Sequence, residues 1–103
     1  MKHKIHYSDL FLKDLDEIGD FISTEYNSKE TALNFVKGIL NSVKILSDFP
    51  YIGQVFFLPD RTDTGYRYVL YKKYISFFKI INDEVYISRV LYQKRDYMQV
   101  LFD

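Results

Sequence analysis

The chain has 103 residues, 14 Lys or Arg against 14 Asp or Glu, two His and no Cys, for a formal net charge of zero. That length holds one hydrophobic core and not two, so residues 1–103 are read as a single domain. Without Cys there is no disulfide framework, no thiolate chemistry and no Cys-based zinc site. A neutral chain also argues against bulk, non-specific nucleic-acid binding, which needs many phosphate contacts. The charge is nonetheless uneven: residues 1–60 hold six Lys and nine Asp or Glu, and residues 61–103 hold eight Lys or Arg and five Asp or Glu. No apolar run approaches the roughly 20 residues needed to cross a bilayer. The start, MKHKIHYSDLF, is basic but has no apolar stretch of signal-peptide length behind it. The expectation is a cytoplasmic chain without membrane contact.

In chain order, Lys2–Tyr7 alternates with period 2 and reads as a short edge strand. Ser8 or Asp9 then caps a helix whose apolar stripe is Phe11, Leu15, Ile18 and Ile22. Asp14, Asp16, Glu17 and Asp20 read as its solvated face, and Gly19 as a point of close packing. Asn27 with Glu30 has the spacing of a capping box and opens a second helix along Val36, Ile39, Leu40, Val43 and Leu46, which Pro50 ends. A linker at Glu25–Ser28 makes the two an antiparallel hairpin. Tyr51–Gly65 is a loop with a short extended piece at Gln54–Leu58. Three runs rich in Tyr, Phe, Val and Ile follow, Tyr66–Tyr71, Tyr74–Ile81 and Glu84–Tyr92, separated by Lys72-Lys73 and Asn82-Asp83. Such residues suit a pleated surface and such breaks suit hairpin turns, so a three-stranded antiparallel meander is expected. Strict alternation puts Val85, Ile87, Arg89 and Leu91 on one face of its last strand. Asp96 caps a short C-terminal helix. The resulting class is α+β, ordered β-α-α-β-β-β with a terminal helix, the helical hairpin lying on a small antiparallel sheet.

No Gly-rich phosphate loop, nucleophile elbow or HExxH is present. His3 and His6 lie three apart in a strand and so point to opposite faces, and no metal or cofactor is expected. Four cations resist a purely structural account: Arg67, Arg89, Lys94 and Arg95. Arg67 and Arg89 interrupt apolar strands, where an unpaired charge is costly. Each therefore pairs within the fold, reaches solvent or belongs to a binding surface.

The order of these elements and three motifs resemble the ParE branch of the RelE/ParE toxins of type II toxin–antitoxin modules. The motifs are SDFPYIGQ at the end of the helical hairpin, GYRYVLYKKYISFFKI, and the closing ISRVLYQKRD. The resemblance covers nearly the whole length. It implies a growth-inhibiting toxin neutralised by a ParD/RelB-like antitoxin encoded beside it, with operator DNA reached only through that antitoxin. It also implies one of two targets. ParE-like members poison DNA gyrase without being nucleases, whereas RelE-like members cut messenger RNA on the ribosome with Arg and Lys side chains and a C-terminal Tyr or His.

Where RelE-like members carry an Arg starting the central strand, this chain reads Ile75-Ser76-Phe77-Phe78, and its last residues are Val100-Leu101-Phe102-Asp103. Cleavage by 2′-hydroxyl attack wants a base, an acid and cations on the phosphate. Arg67, Lys94 and Arg95 offer cations and Tyr97 an acid, but no base is evident. The expectation is therefore a non-enzymatic gyrase inhibitor with no catalytic residues, using Arg67, Arg89, Lys94 and Arg95 as target contacts. The ribonuclease built on Arg67, Lys94, Arg95 and Tyr97, and a non-toxic binding module, are the alternatives.

Overall fold

The computed structural model describes residues 2–93 and 97–102. Its elements are β1 (Ile5–Tyr7), α1 (Asp9–Tyr26), α2 (Lys29–Lys44), β2 (Gln54–Phe57), β3 (Asp63–Tyr71), β4 (Tyr74–Ile81), β5 (Glu84–Tyr92) and α3 (Tyr97–Phe102). Two 3₁₀ turns, Ile45–Ser47 and Pro50–Ile52, join α2 to β2. The five strands make one sheet in the order β1-β5-β4-β3-β2. Helices α1 and α2 cover one face and α3 packs on the other.

Local chemistry sets the helix ends. Ser8 caps α1, its hydroxyl accepting from the Phe11 amide, and Asp9 sits in the first turn where an acid suits the helix dipole. The capping box expected at Asn27 is not formed. Asn27 instead closes α1 in the left-handed region at φ 48°, a conformation Asn tolerates, and its N–H bonds back to the carbonyls of Ser23 and Thr24. Ser28 caps α2 through the Thr31 amide. With two residues between them, the helices form the antiparallel hairpin expected from the pattern.

Three features of the sheet differ from the sequence pattern. The extended piece at Gln54–Phe57 is a true fourth antiparallel strand at one edge, bulged against β3 between Val55 and Phe57. At the other edge β1 joins β5 in parallel, pairing Ile5 with Val85 and Tyr7 with Ile87, so the sheet is mixed and not antiparallel throughout. β5 does not alternate strictly, because Phe77 faces Arg89 while Phe78 faces Ile87, leaving Ser88 as an extra residue. That bulge shifts the phase of the strand. Val85 and Ile87 lie under the helices, and so do Val90 and Tyr92, whereas Leu91 belongs to the opposite cluster.

Two apolar clusters result. The larger joins Phe11, Leu15, Ile18 and Ile22 of α1 with Ile39 and Val43 of α2 and with Phe78, Val85, Ile87 and Val90 of the sheet. The smaller lies on the far face, where Ile75, Phe77 and Leu91 pack with Phe56, Tyr66, Tyr68, Tyr97, Val100 and Leu101. β4 is buried on both faces, as its continuous apolar run foretold. The hairpin turns fit their residues: Asn82 and Asp83 both take positive φ, as a type I′ turn requires, and Lys72 takes φ 53°.

Gly53 joins the second 3₁₀ turn to β2 where the backbone lies against Phe78. A Cβ there would fall 2.4 Å from the Phe78 ring, whose side chain is fully buried. Gly53→Ala should therefore overpack the core and lower stability by about 1–3 kcal/mol. Urea unfolding of the variant beside the parent measures it, and an unchanged midpoint would refute the packing argument.

Candidate functional site

Among the described residues, Asp14 is the buried acid. It lies three residues after Phe11 and four before Ile18, on the apolar stripe of α1, and is 7 % exposed. Its carboxylate accepts Arg89 Nε at 2.7 Å, Arg89 Nη2 at 2.8 Å and the Val90 amide at 3.1 Å. The reading of Asp14 as part of a solvated face is thus overturned. Arg89 is held in a two-point pair, the geometry that suits a guanidinium fork. The hydrogen bonds that Arg89 donates to Asp14 raise the Arg89 pKa, opposing the effect of burial. The cation on β5 has its partner inside the fold.

Arg67 has a different setting. It lies on β3 opposite Phe78, on the helix-covered side of the sheet. Its Nη1 donates to the Gly53 carbonyl at 2.8 Å, and its guanidinium sits 5.1 Å from the centre of the Tyr51 ring. Tyr51 is 62 % exposed, so the pair forms a preorganised cationic and aromatic point at the surface. β4 separates Arg67 from Arg89, and each is turned to its own partner.

Tyr97 packs on the opposite face of the sheet from Arg67, with its ring 5.1 Å from Phe77 and 6.3 Å from Phe56. Its hydroxyl is buried and finds no hydrogen-bond partner among the described residues. Burial raises its pKa. Arg67, one of the three cations of the ribonuclease alternative, therefore lies on the other face of the sheet from its acid, Tyr97. Lys94 and Arg95 lie outside the described residues. On the far face, Lys79 Nζ sits 4.4 Å from the centre of the Tyr66 ring, a cation that sequence reasoning did not single out.

The two histidines bind the N-terminal strand to the turn before β5. His3 Nδ1 donates to the Asp83 carbonyl at 2.7 Å, His6 Nε2 bonds to the Glu84 carboxylate, and the His6 ring stacks on Tyr86. No cluster of three or more His, Asp or Glu suited to a metal ion occurs among the described residues. Nor is any described helix long and apolar enough to cross a membrane.

A family model described as the ParE toxin of the type II toxin–antitoxin system parDE matches residues 5–97. The chain belongs to the ParE toxin family. Solved structures share the fold of this family member. One is described as the chromosomal ParDE toxin–antitoxin system from P. aeruginosa, 22 % identical over 88 % of this chain and 96 % of that one, with TM-score 0.73. Another is the RelBE2 toxin–antitoxin complex from Mycobacterium tuberculosis, 13 % identical over 92 % and 95 %, with TM-score 0.64. A third is YafQ from E. coli strain BL21(DE3), 20 % identical over 99 % and 100 %, with TM-score 0.54. No curated protein matches. The α+β arrangement of a helical hairpin on a sheet, expected from the resemblance, is the fold these toxins share.

Asp14 had a signal that the pattern did contain, since positions 11, 14, 15, 18 and 22 share one helical face. Asp14→Ala should cost about 2–3 kcal/mol, within the range for breaking a pair of this kind after allowance for the 20 % exposure of the Arg89 side chain. Arg89→Lys should restore little, because an ammonium cannot reproduce the two-point contact. Chemical denaturation of both variants tests the pair, and a stable Asp14→Ala protein would count against it.

The His6 hydrogen bond lowers the Glu84 pKa. A depressed carboxylate adds stability above its ordinary pKa and loses it as pH falls through the folded-state value. His6→Ala should move the Glu84 titration up toward the ordinary glutamate range. Side-chain NMR titration of Glu84 reads that shift directly.

Proposed function

We propose that this ParE-family toxin inhibits growth by binding a topoisomerase, DNA gyrase, and is held inactive by a ParD/RelB-like antitoxin encoded beside it. The observation that carries the reading is Ile75. At the start of the central strand, where a RelE-like ribonuclease would present an Arg, Ile75 is 6 % exposed within the far-face cluster. Leu91 and Phe77 pack with it, and Tyr97 closes over them with its hydroxyl turned inward. That face is built as a packed aromatic layer. Phosphate cleavage needs preorganised cations and an acid aimed at the reacting oxygens.

Binding without chemistry asks only for surface. Arg67 over Tyr51 offers a rigid cationic and aromatic contact of the kind that dominates protein interfaces. Lys94 and Arg95 are assigned to the same target-contacting role, as is Arg89 through any part of its guanidinium left by Asp14. For the antitoxin, the helical hairpin exposes Leu12 and Phe21 on opposite flanks of α1 and Leu33 on α2, apolar side chains suited to an apolar partner. Operator DNA is bound by the antitoxin, and the toxin reaches it only through that partner.

The test uses the full chain freed of its antitoxin. Added to purified gyrase, it should suppress supercoiling, and antitoxin should restore it. No inhibition at stoichiometric excess would sink the proposal. Codon-positioned cuts in messenger RNA after toxin induction would instead assign the chain to the ribosome-dependent ribonucleases, and normal growth without antitoxin would leave a binding module.

A further inference from the structure

α1 does not close completely on the sheet. Asp14, Glu17 and Phe21 fall three and four residues apart and so share one flank of the helix. That flank meets the start of β4 and the end of β5, where Tyr74 and Tyr92 are paired, with ring centres 5.4 Å apart and planes 77° apart. Between helix and strands lies a cleft of about 170 Å³, lined by Glu17, Phe21, Tyr74 and Tyr92 together with Asp14 and Val90. Its walls are fixed, because α1 is bound to β5 at two places. The Ser8 amide donates to Ile87 O and the Ser8 hydroxyl to Ser88 O, while Asp14 holds Arg89 and the Val90 amide.

The cleft is acidic, and no described cation lines it. Asp14 is neutralised by Arg89, and both of its oxygens already accept hydrogen bonds. Glu17 adds to the field that favours the Arg89 charge, yet it forms no hydrogen bond or salt bridge among the described residues. The three groups together leave one negative charge in excess. The rest of α1 has the same sign, since Asp9, Asp16, Glu17, Asp20 and Glu25 are exposed against a single Lys13. Beside the Glu17 carboxylate stand aromatic rings: Tyr74 is buried, Tyr92 half-buried and Phe21 57 % exposed. Ring faces attract cations, most strongly where water is excluded. An anion entering here would meet like charge, and an uncharged group would strip water from Glu17 without replacing it.

We propose that this cleft receives one basic side chain, Arg or Lys, of the antitoxin, with its charged head against Glu17 and its stem along the rings. Size selects a single side chain: pockets for small-molecule ligands run to about 300–1,000 Å³, and this one is smaller. Charge selects the partner. The contact assigned to the target, Arg67 over Tyr51, is itself cationic, whereas the cleft is acidic and opens beside Phe21, an apolar side chain assigned to the antitoxin. The inference rests on the reading that the chain has such a partner. Its consequence is specificity, because apolar contact on a helical hairpin has no direction and accepts many partners. A cation that must meet Glu17 fixes the register, and an antitoxin with an acid at that position is rejected.

Calorimetric titration of the full-length toxin with the antitoxin encoded beside it tests the site. Glu17→Gln keeps the shape and removes the charge, and should weaken binding about ten-fold. Glu25→Gln, at an exposed position of α1 outside the cleft, should change it less than about two-fold. Each Arg and Lys of the antitoxin is then replaced by Ala in turn. One of them should lose its effect in the Glu17→Gln toxin, while the others add independently. The urea midpoint of free Glu17→Gln toxin should match the parent's; a midpoint that falls together with the affinity makes the effect structural and overturns the proposal. So do a Glu17→Gln toxin that binds like the parent, an equal loss in Glu25→Gln, and the absence of any coupled basic residue. Weaker gyrase inhibition by Glu17→Gln with antitoxin binding untouched would assign the cleft to the target and overturn it likewise. No complex at all would overturn the antitoxin reading itself, and the occupant of the cleft with it.

Discussion

The Asp14 carboxylate accepts from three donors on β5, two from the Arg89 guanidinium and one from the Val90 backbone. Together these contacts answer three problems. An arginine within an apolar strand needs a counter-charge. A strand edge abandoned by its neighbour needs an acceptor for its free amide. A helix lying on a sheet needs something that fixes how far it slides, because apolar contact alone has no direction. With Asp14 and Ser8 both bound to β5, α1 has one position on the sheet, and α2, folded back through Asn27 and Ser28, follows it.

That position decides what the remaining surfaces can be. The helices cover Phe78, Val85, Ile87 and Val90, so the polar and aromatic groups left for function lie at the margins or on the far face. The far face is itself largely filled by Ile75, Phe77, Leu91 and α3. Arg67 escapes both layers because β3 lies near the edge of the sheet, where its side chain reaches over Gly53 to Tyr51. Tyr97 does not escape, and its hydroxyl is sealed among rings. The chain thus separates into a charged, tied edge at β5 and an edge at β2 with one cationic and aromatic point close to it.

Much of this was legible beforehand, for reasons that differ by element. The three long strands were plain because Tyr, Phe, Val and Ile come in runs broken by two-residue turns, and Asn82-Asp83 then met the backbone demands of its turn. The helices were plain from their stripes. What was misread turned on competition between equally good local signals. Asn27 and Ser28 can both cap a helix, and tertiary placement gave Asn27 to the end of the first. Asp14 was grouped with its acidic neighbours although its spacing put it on the buried face. The bulge at Ser88 leaves no compositional mark, and it reversed the faces of Val90 and Leu91. For the site, a cation inside an apolar strand was a sound alarm for both Arg67 and Arg89, but their partners lie 14 and 75 residues away. No short-range pattern points to them. That Arg67 and Tyr97 would stand on opposite faces depended on where a six-residue helix docks, which periodicity alone does not state.

The same parallel pairing of β1 with β5 bears on the order in which the molecule can come together. Ile5 finds Val85, and Asp14 finds Arg89, only after nearly the whole polypeptide exists. At translation rates of about 5–20 residues per second, roughly 4–15 s separate the synthesis of Asp14 from that of Arg89. During that interval the hairpin of α1 and α2 has its apolar stripe in water and a carboxylate without its counter-ion. Closing so long a loop is slow because its entropy is lost before any contact repays it. The last strand to be made is therefore the one that gives the first strand and the first helix their place, and the toxin cannot take its native form on the ribosome ahead of its own C-terminal third.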